Sequence, residues 1–153
     1  MKIDIYSREA VENLLNGHFP HNVAVISFYD PPTKTWRENA PVDYAEQANT
    51  VLQIALNDID IDSLGDYGLT VESYFTEAAE LAEFVYAAKE GGFDIICQCE
   101  YGQSRSAGCA AAILEHFYKT GISVFADYRY YPSQLVYNKV YNALEAYKKS
   151  KSK

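Results

Sequence analysis

Basic residues are scarce in this chain: 13 lysines and arginines stand against 21 acidic residues, a formal charge of −8. A protein that grips polyanions through many phosphate contacts carries the opposite balance, so nucleic acid is not an expected partner. A local cationic pocket stays open. Cysteine is equally sparse. Cys97, Cys99 and Cys109 are odd in number and clustered, a poor disulfide framework that suits a reducing compartment. His18, His21 and His116 are dispersed, and no second ligand pair accompanies the cysteines, so neither a zinc site nor a papain-like cysteine–histidine pair is expected. No apolar run approaches the ~18 residues of a membrane span. Residues 1–6 carry Asp4 where a signal peptide needs its apolar stretch. The chain therefore reads as cytoplasmic, with no membrane among its partners.

What is present suffices for one packed core. Hydrophobic residues make up 48% of 153 residues, the balance of an ordinary globular domain. No repeat or linker interrupts it. Residues 1–148 read as one domain, and the lysine-rich 149–153 as a flexible tail. The fourteen tyrosines suit half-buried packing. Strands are expected over 2–6, 22–28, 50–56 and 93–98. Helices are expected over 8–16, capped by Ser7; from Thr76 to Lys89; over 105–119, stopped by Gly121; and over 133–148. Residues 42–49 could form a short helix, and 57–72 read as a loop. Strands alternating with helices predict an α/β fold, a mostly parallel central sheet flanked by helices. The run 93–98 is continuously apolar, as in a strand buried on both faces.

The chemistry lies just beyond that strand. Cys99-Glu100-Tyr101-Gly102-Gln103-Ser104-Arg105-Ser106 places a thiol and a guanidinium on either side of a tight turn that opens a helix. Unpaired N–H groups of such a turn and of a first helical turn converge on a common centre and bind a tetrahedral anion. Gly102 permits a positive φ. Arg105 can hold two oxygens in a bidentate grip, which lysine cannot. The same positive field favours a thiolate over a thiol, and a thiolate is both nucleophile and tolerable leaving group. These are the requirements for cleaving a phosphate monoester through a thiophosphate intermediate, without a metal or any other cofactor.

The segment resembles the Cys-x5-Arg-Ser/Thr phosphate-binding loop of the cysteine-based protein tyrosine phosphatases. Gly102 and the Ser106-Ala107 pair look most like the small dual-specificity branch and its bacterial relatives. The similarity covers about residues 50–120. It implies a phosphotyrosine phosphatase-like fold with Cys99 as nucleophile. It also implies a phosphate cradle of Glu100, Tyr101, Gly102, Gln103, Ser104 and Arg105, and a Ser106 hydroxyl that assists thiolate departure. The expected partner is a phosphorylated protein or peptide, and the pocket should take phosphate- or sulfate-like anions. One position departs from the pattern: the family's usual histidine before the cysteine, which orients the loop and tunes the thiolate, is Gln98 here.

Cleavage of an aryl phosphate is helped by a proton donor to the leaving oxygen. The family takes it from an Asp on an earlier loop. Asp58 matches best, with Asp60 and Asp62 as alternatives in Asn57-Asp58-Ile59-Asp60-Ile61-Asp62. Asp30, before two prolines, is a rival that reads more simply as turn chemistry, although its loop could bring Trp36 or Arg37 to the substrate. Cys97 reads as buried packing, with redox partnership to Cys99 as the alternative; Cys109 reads as packing. The aromatic cluster from Tyr128 to Tyr131, with Pro132 and Gln134, reads as packing or as the rim of the site. Two other functions use such a loop: hydrolysis of phytate or phosphoinositides, and non-catalytic phosphate binding by a pseudophosphatase. A rhodanese or an arsenate reductase fits less well.

Overall fold

The computed structural model describes residues 1–32 and 40–152. Four strands form one sheet: β1 (Ile3–Ser7), β2 (Val23–Tyr29), β3 (Thr50–Ala55) and β4 (Asp94–Cys99). Their order is β1-β4-β2-β3, and every pairing is parallel. The expected mostly parallel sheet is thus wholly parallel. All four strands end at the same edge of the sheet.

Alternation along the strands separates two cores. Val23, Val25 and Ile96 face helix α1 (Arg8–Asn16), packing with Val11, Phe19 and Tyr44. Ala24, Ile26, Ile95 and Cys97 face the opposite side. There they meet α2 (Ala78–Glu90), α3 (Arg105–Tyr118) and α5 (Gln134–Lys151). The two central strands, β2 and β4, are buried on both faces, which explains their continuous apolar runs. A short helix, α4 (Ile122–Phe125), leans on α3 through Val124.

Local signals set several boundaries. The Ser7 hydroxyl accepts the Ala10 N–H at 3.0 Å and opens α1 where expected. Ser133 caps α5 in the same way through the Val136 N–H, and α5 continues to Lys151, past its expected end at 148. Four expectations are corrected. Residues 42–49 form turns, because Ala45 and Glu46 adopt left-handed φ values of 52° and 60°. Thr76 does not cap α2; Glu77 holds that place without a side-chain bond. The loop after β3 contains a 3-10 helix, Ile61–Tyr67, capped by Asp60. Lys119, at φ 59°, ends α3, whereas Gly121 opens α4.

Helix α3 is enclosed from Arg105 to Ile113. Only small side chains fit between the sheet and α5, and Ala107, Gly108, Ala110, Ala111 and Ala112 supply them. A Cβ on Gly108 would lie 2.6 Å from the Ser133 carbonyl oxygen. Alanine there gains roughly 1 kcal/mol of helix propensity, but backbone at that distance cannot give way cheaply. Gly108→Ala should therefore lower stability by about 1–3 kcal/mol, as overpacking does. Urea denaturation checks it, and an unchanged or raised midpoint would contradict this packing.

Candidate active site

The common edge of a parallel sheet is where the loops following its strands meet. β4 delivers Cys99 to that edge, β2 delivers Asp30, and β3 delivers Leu56 and then Asp58. The residues between Cys99 and Arg105 form a loop held from outside. The Arg8 N–H donates to the Glu100 carbonyl at 3.1 Å, that of Tyr131 to Gln103 at 2.8 Å, and that of Ser133 to Ser104 at 3.0 Å. Among the described residues, the N–H groups of 100–104 have no backbone acceptor. Gly102 sits at φ 67°, and a Cβ there would lie 2.6 Å from the Ser7 nitrogen. Both the conformation and the contact require glycine.

The side chains of the loop converge. Cys99 is buried, and its Sγ lies 3.0 Å from the Ser106 Oγ. The Arg105 side chain is 3% exposed. Its Nη1 donates to the Leu56 carbonyl and to the Asp30 carboxylate, both at 2.8 Å. These two bonds use both Nη1 hydrogens. Nε is buried and has no partner among the described residues. The guanidinium is therefore anchored by one nitrogen, and its Nε–H is left to donate to an acceptor such as an anion oxygen.

Asp58 is the carboxylate that touches the loop, accepting a hydrogen bond from the Ser104 hydroxyl at 2.7 Å. The Tyr74 hydroxyl fixes the preceding residue by donating to the Asn57 carbonyl at 2.6 Å. Burial pushes the Tyr74 phenol well above its ordinary range, so it remains a donor. The other two carboxylates stand elsewhere. Asp60 accepts the Ser63 N–H, and Asp62 is exposed in the first turn of the 3-10 helix. Asp30 is a site neighbour through Arg105, where the sequence favoured plain turn chemistry. The signal for it was the parallel sheet itself, since the residue following β2 must emerge beside the one following β4.

The remaining residues divide cleanly. The hydrogen bond between the Cys97 and Cys109 thiols, together with burial, pushes the Cys97 thiol well up, so its side chain is engaged with α3. His116 lies between the Tyr86 hydroxyl and the Glu145 carboxylate, in contacts of α3 with α2 and α5. Tyr130 packs with Ala107 and Ala111, whereas Tyr128 and Tyr131 are exposed. Trp36 and Arg37 lie outside the described residues. Among the described residues no group of three or more metal-ligating side chains occurs, and no helix is long and apolar enough to cross a membrane.

Gln98 occupies the place of the family's histidine. On the α1 face of the sheet its Oε1 accepts from the Ser27 hydroxyl and, at 2.8 Å, from the Tyr44 hydroxyl. Its Nε2 donates to the Cys99 carbonyl at 3.1 Å. All three side chains are buried. Burial pushes the Tyr44 phenol well above its ordinary range, so it too remains a donor.

No family model and no curated protein matches the chain. Two solved structures share its fold. PTPMT1 in complex with PI(5)P superposes with a TM-score of 0.56 over 98% of this chain and 94% of its own, at 14% identity. Human DUSP28 superposes with a TM-score of 0.55 over 97% and 94%, at 16% identity. Both have the phosphatase fold. The resemblance read from the phosphate-loop residues thus extends to the whole architecture: the chain has the single-domain α/β fold of these phosphatases.

Replacing Gln98 by Leu removes the acceptor of two buried hydroxyls, each unsatisfied group costing ~1–3 kcal/mol. Gln98→Leu should lose about 2–6 kcal/mol by that reckoning and lose less in a Ser27→Ala/Tyr44→Phe background. Equal losses in the two backgrounds, measured by urea denaturation, would show that the network is not the source.

Proposed function

We propose that the protein is a cysteine-dependent phosphatase of the tyrosine/dual-specificity type, hydrolysing phosphotyrosine and, to the extent its cleft admits them, phosphoserine and phosphothreonine in proteins. The observation that carries this reading is the buried Arg105 guanidinium, anchored through Nη1 with its Nε–H unpartnered among the described residues, at the end of the loop that Cys99 opens. Residues 1–148 act as one catalytic unit, and the free thiols suit the cytoplasm.

The Cys99 thiolate attacks phosphorus, and the bond to the leaving oxygen breaks. The Arg105 Nε edge and the N–H groups from Glu100 to Arg105 hold the three non-bridging oxygens, Tyr101, Gly102, Gln103 and Ser104 contributing through their backbone. This grip tightens as charge spreads over those oxygens in the transition state. Asp58 gives its proton to the leaving oxygen and then accepts one from the water that attacks the cysteinyl phosphate. Ser106, 3.0 Å from the sulfur, donates to the departing thiolate. Asp30 acts through Arg105 as a positioning residue. The hydrogen bond from Ser104 to Asp58 links the acid to the cradle it serves.

The phosphoinositide bound to PTPMT1 is the observation that favours a second reading, a lipid or inositol phosphate as substrate. The acidity of this chain weighs against it.

Hydrolysis of p-nitrophenyl phosphate in the presence of EDTA tests the proposal. Wild type should turn over and Cys99→Ser should not, while the variant still binds inorganic phosphate. Asp58→Asn should lower kcat on phosphotyrosine by roughly 10²–10⁴-fold, the usual range for a general acid. Its loss on p-nitrophenyl phosphate should be smaller, because p-nitrophenolate departs with less need of a proton. Turnover by Cys99→Ser would refute the covalent step. Equal Asp58→Asn losses on both substrates would refute the role of Asp58.

A further inference from the structure

A cleft of about 440 Å³ opens beside the phosphate loop. It is lined by Ser104, by residues 58–61, and by the start of α5 with Tyr131 and Pro132. Of its lining residues the reaction above uses only Asp58 and Ser104. Ser104 belongs both to the loop and to the cleft, so the atoms that flank a phosphate held by the loop can extend into it.

The walls have a definite chemistry. Asp58 and Asp60 are the acidic side chains among the lining residues, Asp60 being the one that stays a carboxylate while Asp58 holds the proton it donates, and Ile59, Ile61 and Leu135 supply apolar surface. The cations nearest in sequence to the lining are engaged elsewhere: Arg105 is paired with the Asp30 carboxylate, Arg129 is clasped by the Asp127 carboxylate, and the Lys139 Nζ faces the Glu72 carbonyl. The N-terminus of α5 contributes the opposite sign, equivalent to roughly half a charge. That is less than one full carboxylate, and Ser133 already takes one of its N–H groups. A long cationic side chain suits such a cleft, its methylenes lying on the apolar surface and its head on the Asp60 carboxylate. A second phosphate would face that carboxylate instead.

We infer that this cleft is a specificity subsite for a basic residue beside the phosphotyrosine of a peptide substrate, and that it disfavours substrates bearing a second phosphate. The inference rests on the phosphatase reading, so the test separates the two. Phosphotyrosine peptides differing at one flanking residue (Arg, Leu, Glu or a second phosphotyrosine) are bound to Cys99→Ser and followed by fluorescence anisotropy. Short-chain PI(5)P serves as competitor. The same peptides are turned over by wild type, with p-nitrophenyl phosphate as the measure of chemistry alone.

The Arg peptide should bind roughly fivefold tighter than the Glu peptide at low salt, the scale of an exposed ion pair. The preference should fade at ~0.5 M salt, where the screening length is a few ångströms. Asp60→Lys should invert the order. Asp60→Asn, which keeps a capping side chain for the 3-10 helix, should abolish most of it. Equal or tighter binding of the Glu or doubly phosphorylated peptide, stronger binding of PI(5)P, or an Arg preference indifferent to both Asp60 variants would overturn the inference. Absence of p-nitrophenyl phosphate turnover would sink the phosphatase reading, while the binding order on Cys99→Ser would still decide the cleft.

Discussion

The site depends on how the Arg105 guanidinium is held. A charge that is 3% exposed has lost most of its water, an expense of several kcal/mol unless protein oxygens replace it. Two oxygens do so, the Leu56 carbonyl and the Asp30 carboxylate, and they come from the ends of different strands. The guanidinium can be buried only after β2, β3 and β4 have paired in register. Burial of Arg105 and pairing of these strands are consequently coupled. The segment that supplies the Leu56 carbonyl runs on directly to Asp58, so anchoring the arginine also brings Asp58 to the Ser104 hydroxyl.

The same economy governs α3. Its first turn belongs to the anion site, and its next two are packed between the sheet and α5. That depth is reached because Gly108 lets the backbone of α5's cap approach to contact and because alanines follow it. Ser133 serves both ends of the arrangement: its N–H holds the Ser104 carbonyl, and its hydroxyl starts α5. Loop, helix and cleft wall are thereby tied to one residue. The polar rim at Tyr131 is placed by the same strut, through its N–H to Gln103.

Much of this was legible from residues alone, for physical reasons that can be named. The apolar run before Cys99, the glycine in the turn and the small residues after Arg105 each reflect a local constraint, and local constraints leave marks in sequence. Ser7 announced its helix through cap chemistry. The failures were non-local. Asp30 read as a turn residue because its partner lies 75 positions away. The turns over 42–49 depend on two left-handed residues without glycine, and the 3-10 helix after β3 has no apolar periodicity to betray it. Among three neighbouring aspartates only a tertiary contact, the Ser104 hydroxyl, distinguishes Asp58. Tyr131 and Tyr130 looked alike in sequence, yet one faces the cleft and the other the core.

Gln98 shows what the departure from the family pattern accomplishes. A histidine beside the nucleophile changes its charge between about pH 5 and 8, and any loop it orients is subject to that titration. An amide does not titrate. It offers an acceptor to Ser27 and Tyr44 and a donor to the Cys99 carbonyl at the same time, and the buried Tyr44 phenol stays protonated. The peptide that carries Cys99 is therefore held by a neutral network that does not titrate across that pH range. Such a network is also unforgiving, because each member is buried and each leaves another unpaired if it is lost. Ser27 stands directly opposite Gln98 in the β2–β4 register, so the pairing that buries Arg105 on one side of the sheet completes this support on the other.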